Sequence, residues 1–515
     1  MVRTLLLRLA ALCLLAGGAA TPAAAEWLRA ESPNFIAFGE GDEARLRGQV
    51  AILEDYAALL RLLSDLPAET PPAPKLRIYF VRRGEDLGRV PPLSSLIPGF
   101  YTAASTGIAA FVNAGASGGM MGSNEILFHE YAHHFMMQYH GNAYPAWYVE
   151  GFAEYLATTR FTERHIELGR MNRLRSSWLF RRADWLPVET IMFDRAGVAT
   201  LEDISRFYAQ SWLITHFMFA DGARRAQLVR YLQALGRGDE PRAAFQASFA
   251  VAPADMQRQL VAYSRQGIVY RRIDRASVGR PVQITITRLP ASADQLLMSE
   301  AAMLVGREPS PEEFARILRA TERSGDPYAR RVLARAEALY GDGDSAERLL
   351  TELLAATPND AELLYLRGMR HIVAARTAAP TDRAAQYRQA RSWFSRAHRA
   401  DPTHFPTLYR YAHAFQGEPE FRSENTLNIM LLAVQLAPQV PEIRMNAARM
   451  LLLRGEYALA ERLLQPLAST AHSGEQADGA RALLELARAR SAEGVALEFD
   501  PPPEAPKEPA ESTPE

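Results

Sequence analysis

The stretch Leu127-Phe128-His129-Glu130-Tyr131-Ala132-His133-His134-Phe135-Met136 decides the reading of this chain, together with Trp147-Tyr148-Val149-Glu150-Gly151-Phe152-Ala153-Glu154-Tyr155-Leu156 downstream. His129 and His133 are four positions apart, so on a helix they share one face. Two imidazoles stacked in that way suit one zinc ion, bound through ring nitrogens. Glu130 follows the first histidine and is rotated off the ligand face, yet stays close to a water on the metal. This is the H-E-x-x-H arrangement, in which the glutamate serves as general base. The flanks Ile126, Leu127, Phe128, Phe135 and Met136 are apolar, as a buried helix requires.

A catalytic zinc needs a third protein ligand and an open position. Glu150 and Glu154 lie four apart on a second, otherwise almost wholly apolar helical stretch. Buried carboxylates are costly without partners. A metal ion for Glu150 and an imidazole N–H for Glu154 satisfy both, so Glu150 is expected as the third ligand. Glu154 is expected to orient a ligand histidine, His129 being the choice. The turn at 140–146 (H-G-N-A-Y-P-A) lets the second helix fold back beside the first. His134, rotated off the ligand face, and His140, in that turn, are competitors for a ligand role.

Outward from the motif, apolar residues at helical spacing run from Leu46 to Leu63, and prolines at 67, 71, 72 and 74 close that helix. Leu76–Val81 (L-R-I-Y-F-V) and Gly107–Asn113 (G-I-A-A-F-V-N) read as strands. A Gly-rich loop spans 114–123. Downstream, Phe207–Ala220 and Arg224–Leu235 are helical patterns, and strand-like residues return at Pro281–Thr287.

The C-terminal part has another rhythm. Pro358, Pro402 and Pro438 each close a segment with two helical patterns. Ala346, Ala390 and Ala460 recur at a matching place, as do Leu350, Phe394, Met430 and Leu464 four residues later. Gly368 and Ala448 hold the small-residue position of the first helix. The pattern resembles tetratricopeptide repeats, whose period is about 34 residues. Here the spacing stretches to 44 and then 36, so the units carry insertions, including Arg376–Arg383. Such helix pairs stack because each alone cannot bury its apolar face.

H-E-Y-A-H followed by W-Y-V-E-G-F-A-E-Y resembles the gluzincin metallopeptidases, the superfamily of thermolysin and the aminopeptidase N family. The resemblance implies an α+β gluzincin-like catalytic domain ahead of an all-α tetratricopeptide-like solenoid. It places the third zinc ligand at Glu150 and an acidic residue supporting the ligands at Glu154. Phe207-Tyr208-Ala209-Gln210-Ser211-Trp212 is similar to the tyrosine helix of the aminopeptidase N group, which nominates Tyr208 as the donor to the developing oxyanion. His216, two turns on, is expected to be structural. The strand Gly107–Asn113 resembles the edge strand on which gluzincins lay an extended peptide, with the Gly-rich loop as a flap. It lacks the acidic residue with which aminopeptidases hold a free amine, so an endopeptidase is the expectation. The 16 residues between His133 and Glu150 are slightly fewer than in those relatives and imply a shorter connection.

Bulk properties set the frame. The 515 residues exceed one compact domain. Net charge is −1 and no Arg cluster stands out, which argues against nucleic acid or anionic membrane as partners. Arg3 and Arg8, an apolar run to Ala16 and Ala23-Ala24-Ala25 read as a secretory signal. Cys13, the sole cysteine, falls inside it. The reading is therefore a signal peptide at 1–25, a zinc peptidase domain at 26–285, a linker or helical connector at 286–325, tetratricopeptide-like repeats at 326–495 and a disordered Pro/Glu-rich tail at 496–515. One zinc per chain, a peptide or protein substrate, a protein partner on the repeats and a bacterial periplasmic location are expected. The competing readings are a catalytically inactive periplasmic scaffold and a zinc hydrolase of non-peptide bonds.

Overall fold

The computed structural model describes residues 27–67, 74–82, 86, 88–90, 99–114, 123–139, 141, 143–194, 197–279, 281–469 and 475–499. The expected signal peptide, residues 115–122 of the Gly-rich loop, His140 and the chain beyond 499 lie outside the described residues. Among the described residues, no helix is long and apolar enough to cross a membrane.

The N-terminal α/β region is built on a six-stranded mixed sheet. Its strands are β1 (Trp27–Glu31), β2 (Phe35–Glu40), β3 (Leu76–Val81), β4 (Gly99–Ala104), β5 (Gly107–Asn113) and β9 (Thr285–Arg288), in the spatial order β4-β5-β3-β2-β1-β9. The pairs β2–β3 and β3–β5 are parallel, the others antiparallel. Period-two alternation sorts the side chains. Phe35, Ala37, Ile78, Phe80, Ile108, Ala110 and Val112 face helices α1 (Glu43–Leu63) and α2 (Ser123–Tyr139). Phe38, Tyr79 and Phe111 point the other way, and with Phe100 they form an aromatic ladder across four strands at centroid spacings of 4.8–5.0 Å. Helix α10 (Ala293–Leu304) covers that second face through Ala293, Leu297, Met298 and Ala301. All seven residues of β5 are buried as a result.

Two expectations change here. The strand Gly107–Asn113, expected at a sheet edge, is flanked on both sides by β3 and β4, so its backbone groups are committed to the sheet. The edge is β4, which lacks an apolar alternation and gives no strand signal of its own. The segment 286–325, expected as a linker or helical connector, is helical as α10 and α11 (Pro311–Ser324) after the end of β9, but α10 packs against the sheet as part of the α/β region. Its helical apolar spacing fits a connector equally well; only the apolar second face of the sheet decides where α10 goes.

Around the motif helices, α3 (Ala146–Ala157) is followed by the short strands β6 (Arg160–Phe161) and β7 (His165–Leu168), which pair with each other; β7 also pairs with β8 (Arg271–Asp274). Helices α4 (Arg173–Phe180), α5 (Val188–Phe193), α6 (Leu201–Phe219), α7 (Gly222–Gly236), α8 (Pro241–Phe249) and α9 (Pro253–Arg265) complete this region.

The rest is all-helical. Antiparallel pairs follow one another: α12 (Pro327–Tyr340) with α13 (Gly343–Ala356), α14 (Ala361–Thr377) with α15 (Pro380–Ala400), α16 (Phe405–His413) with α17 (Glu424–Leu436), and α18 (Pro441–Leu453) with α19 (Tyr457–Ala468); α20 (Glu475–Arg488) lies last. Pro358, Pro402 and Pro438 fall in the breaks after α13, α15 and α17. Ala346, Leu350, Ala390, Phe394, Met430, Ala460 and Leu464 are fully buried, and a Cβ on Gly368 would sit 2.4 Å from the Phe394 ring. These tetratricopeptide-like repeats absorb the expected insertion at Arg376–Arg383 by lengthening α14 and α15 rather than by a loop. Residues 496–499, expected to open the disordered tail, do not behave as one: Phe499 is seated among the repeats at 4% exposure.

Candidate metal centre

Helix α2 is pinned to α1 by Tyr56, whose ring stacks on Phe128 at 4.1 Å and whose hydroxyl donates to the Phe128 carbonyl at 3.0 Å. That anchorage fixes the rotation of α2 and turns His129 and His133 toward α3. Their Nε2 atoms lie 3.0 Å apart. The Glu150 Oε2 atom stands 3.6 Å from His129 Nε2 and 3.5 Å from His133 Nε2. Among the described residues these three make up the one group of His, Cys, Asp and Glu side chains close enough to share a cation. A triangle with those sides has a circumradius of about 2.0 Å, which is the Zn–N and Zn–O bond length. The donor set of two imidazoles and one carboxylate therefore fits zinc in both chemistry and size. The carboxylate is 1% exposed, while the imidazoles keep 13% and 11%, so solvent reaches the centre from the histidine side.

The packing of α3 on α6 seats Glu150. A Cβ on Gly151 would meet Thr215 Oγ1 at 2.2 Å and the Ser211 carbonyl at 2.3 Å. Only glycine lets the two helices approach this closely, and that approach brings Tyr208 of α6 beside the histidines, with its ring centroid 6.4 Å from that of His129.

Glu154, fully buried, lies under His129 with Oε1 3.7 Å from Nδ1. The same oxygen accepts two hydrogen bonds from Arg175, at 2.7 Å from Nη2 and 3.2 Å from Nε. Arg175 also stacks over the Tyr208 ring at 4.8 Å. Sequence reasoning missed it: nothing local separates Arg175 from Arg170 and Arg173, and it reaches Glu154 only because β6 and β7 turn the chain back. Burial opposes the charge of Arg175, but Glu154 outweighs it and the guanidinium stays firmly protonated.

The two ring systems titrate in opposite directions. Burial, aided by the neighbouring His133, pushes His129 below its ordinary value. Burial also pulls on His133, but there the Glu150 charge prevails and raises it. A nitrogen pair at 3.0 Å holds either one shared proton or one metal ion. Glu130 is half-buried on the same helix, and its charge acts on both histidines.

His134 is turned away from the cluster. Its Nδ1 is 3.0 Å from the Tyr101 hydroxyl of β4, and burial holds it at about 4. His216 is 2.8 Å from the Tyr263 hydroxyl through Nδ1 and is likewise held at about 4 by burial.

Fold and site together define an α/β unit that carries a two-histidine, one-carboxylate cluster and is continued by helical repeats. A family profile described as a protein of unknown function (DUF1570) matches residues 126–240, which contain the His129–His133 motif, α3 and Tyr208. No curated protein matches the chain. A crystal structure of a thermophilic tetratricopeptide-repeat protein from Thermus thermophilus is 20% identical over 38% of this chain and all of that one, with a TM-score of 0.33. The repeat assignment rests on the helix pairs themselves.

Proposed function

We propose that this chain is an exported zinc peptidase of the gluzincin type, and that its repeats recruit a protein substrate or partner. The observation that carries the proposal is the His129–His133–Glu150 triangle sized for one zinc ion, with Glu130 beside it. A zinc ion held by His129, His133 and Glu150 would supply Lewis acidity, lowering the pKa of water to about 7 and polarising a carbonyl oxygen. Glu130 takes a proton from the attacking water and delivers it to the leaving amine. Tyr208, whose ring lies beside His129 and under Arg175, would donate a hydrogen bond to the oxyanion. Glu154 Oε1, 3.7 Å from His129 Nδ1, would favour the proton on Nδ1 through its charge and so leave Nε2 as the metal-binding atom. An endopeptidase is the form proposed, since the edge strand β4 (G-F-Y-T-A-A) carries no acidic residue to hold a substrate amine.

The test is zinc content and cleavage of an unfolded protein by the purified chain, beside Glu150→Ala and Glu130→Gln. One zinc per chain, lost in Glu150→Ala and kept in Glu130→Gln, with cleavage lost in both, is the expected result. A chain that binds no zinc overturns the proposal. The length of the helical region, running from Pro327 to Arg488, favours one second reading, a non-catalytic scaffold. Bound zinc with no cleavage of any protein by the unaltered chain would decide for it.

A further inference from the structure

The last described residues do not trail away from the repeats. After α20 the chain turns through Arg490 and Gly494, both at positive φ, and runs back to α16 and α18, the first helices of two successive pairs. There the Asn446 amide reads the backbone of Glu498 in both directions. Its Nδ2 donates to the Glu498 carbonyl at 2.7 Å, and its Oδ1 accepts from the Glu498 N–H at 3.0 Å. The amide is held for this task, since Nδ2 also donates to the Tyr409 hydroxyl at 2.7 Å. The Glu498 carboxylate meets Arg449 at 2.7 Å. The Phe499 ring lies flat on His413, with centroids 4.3 Å apart and planes 3° apart, and Arg410 Nη1 donates to the Phe499 carbonyl at 3.1 Å.

A face that served only to cap the helices would be apolar. This one joins the Tyr409 and Phe421 rings that meet Phe499 to Arg410, His413, Asn446 and Arg449, which are at 8% exposure or less with the segment seated, and burying polar groups is costly unless partners meet them. The partners here come from an extended segment. Its backbone is paired independently of side chain, its half-exposed acid pairs with an arginine, and its aromatic ring is held by a stacked imidazole. That division of labour is the one by which proteins recognise extended peptides.

We infer that this cleft is a peptide-binding site for an extended segment with an acidic residue followed by an aromatic one, and that the chain's own Glu498-Phe499 occupies it in cis. The partner is a protein that displays such a segment and displaces the internal one. The inference does not depend on the metal centre.

The experiment uses the full chain and a fluorescent peptide of its residues 494–501 (G-V-A-L-E-F-D-P), read by anisotropy. Phe499→Ala removes the internal anchor without touching the cleft. It is expected to bind the peptide at least tenfold more tightly than the unaltered chain. The same peptide with its Phe replaced by Ala, or the added change Asn446→Ala, is expected to weaken binding at least tenfold. The peptide-side change decides even if Asn446→Ala fails to fold. Equal affinity of the unaltered chain and Phe499→Ala, or no binding by a Phe499→Ala chain whose circular dichroism and melting match the unaltered one, overturns the inference. So does a Phe499→Ala chain that melts lower and binds nothing, since the segment is then a structural cap.

Discussion

Replacing Gly151 by alanine adds one methyl group at the point where α3 crosses α6, and its effect can be worked through from the structure. The new carbon would lie 2.3 Å from the Ser211 carbonyl oxygen and 2.2 Å from Thr215 Oγ1. Ordinary contact begins near 3.4 Å, so the helices must separate by about 1 Å. Forced expansion of a tight interface costs roughly 1–3 kcal/mol. At about 2–4 °C per kcal/mol for a unit of a few hundred residues, the melting temperature falls by roughly 2–12 °C. The larger effect is geometric, because Glu150 precedes Gly151 and Tyr208 rides on the opposing helix. A shift of about 1 Å at a reacting centre is worth about a hundredfold in rate, and an enlarged ligand triangle weakens zinc. Competition against a chromophoric chelator measures the affinity, and a melt with and without zinc measures the stability. Gly151→Ala combined with Thr215→Ala should not recover, because the Ser211 carbonyl belongs to the backbone. A Gly151→Ala chain that melts normally and holds zinc as the parent does would refute the claim that this crossing positions the third ligand.

Three further outcomes are expected. Glu130→Gln keeps its zinc and loses a factor of about 10²–10⁴ in peptide cleavage, the usual share of a general base, as read with a quenched fluorescent substrate at fixed metal content. Glu154→Gln removes the charge under His129 and the partner of Arg175, so zinc affinity drops about 10–100-fold; chelator competition giving parental affinity would show that Glu154 serves only as a salt-bridge partner. His216 is held neutral in the folded chain, with its value lowered to about 4 from an ordinary 6.5. The unfolded chain therefore takes up the proton first as pH falls. The stabilisation present above pH 6.5 is lost between 6.5 and about 4, by about 3 kcal/mol. Urea unfolding of the parent and of His216→Gln at pH 7 and pH 4.5 should show a shallower pH dependence in the variant.

Local spacing was enough to read much of this molecule. His129 and His133 share a helix face because about 3.6 residues make a turn, and the apolar stretch around Glu150 and Glu154 forces those carboxylates inward on any fold that buries it. The repeat pattern of Ala346, Leu350, Ala390 and Phe394 likewise follows from short-range packing between consecutive helices. What remained illegible depends on contacts between distant segments. Arg175 finds Glu154 through a chain reversal that no periodicity encodes. Strand β4, half-exposed along its length and without alternation, has no signature apart from the partner it pairs with. The residues 286–304 join the sheet because its second face carries an aromatic ladder that needs covering. Glu498 and Phe499 sit at the head of a composition that reads as disordered, and they are ordered by polar side chains far upstream, at 410, 413, 446 and 449. The sequence by itself determined which histidines and carboxylates share a helix face and which helices would pair. The tertiary structure decided which strand lies at the edge, which arginine meets the buried glutamate and what fills the repeat cleft, because those choices are made by surfaces that exist only once the chain has folded.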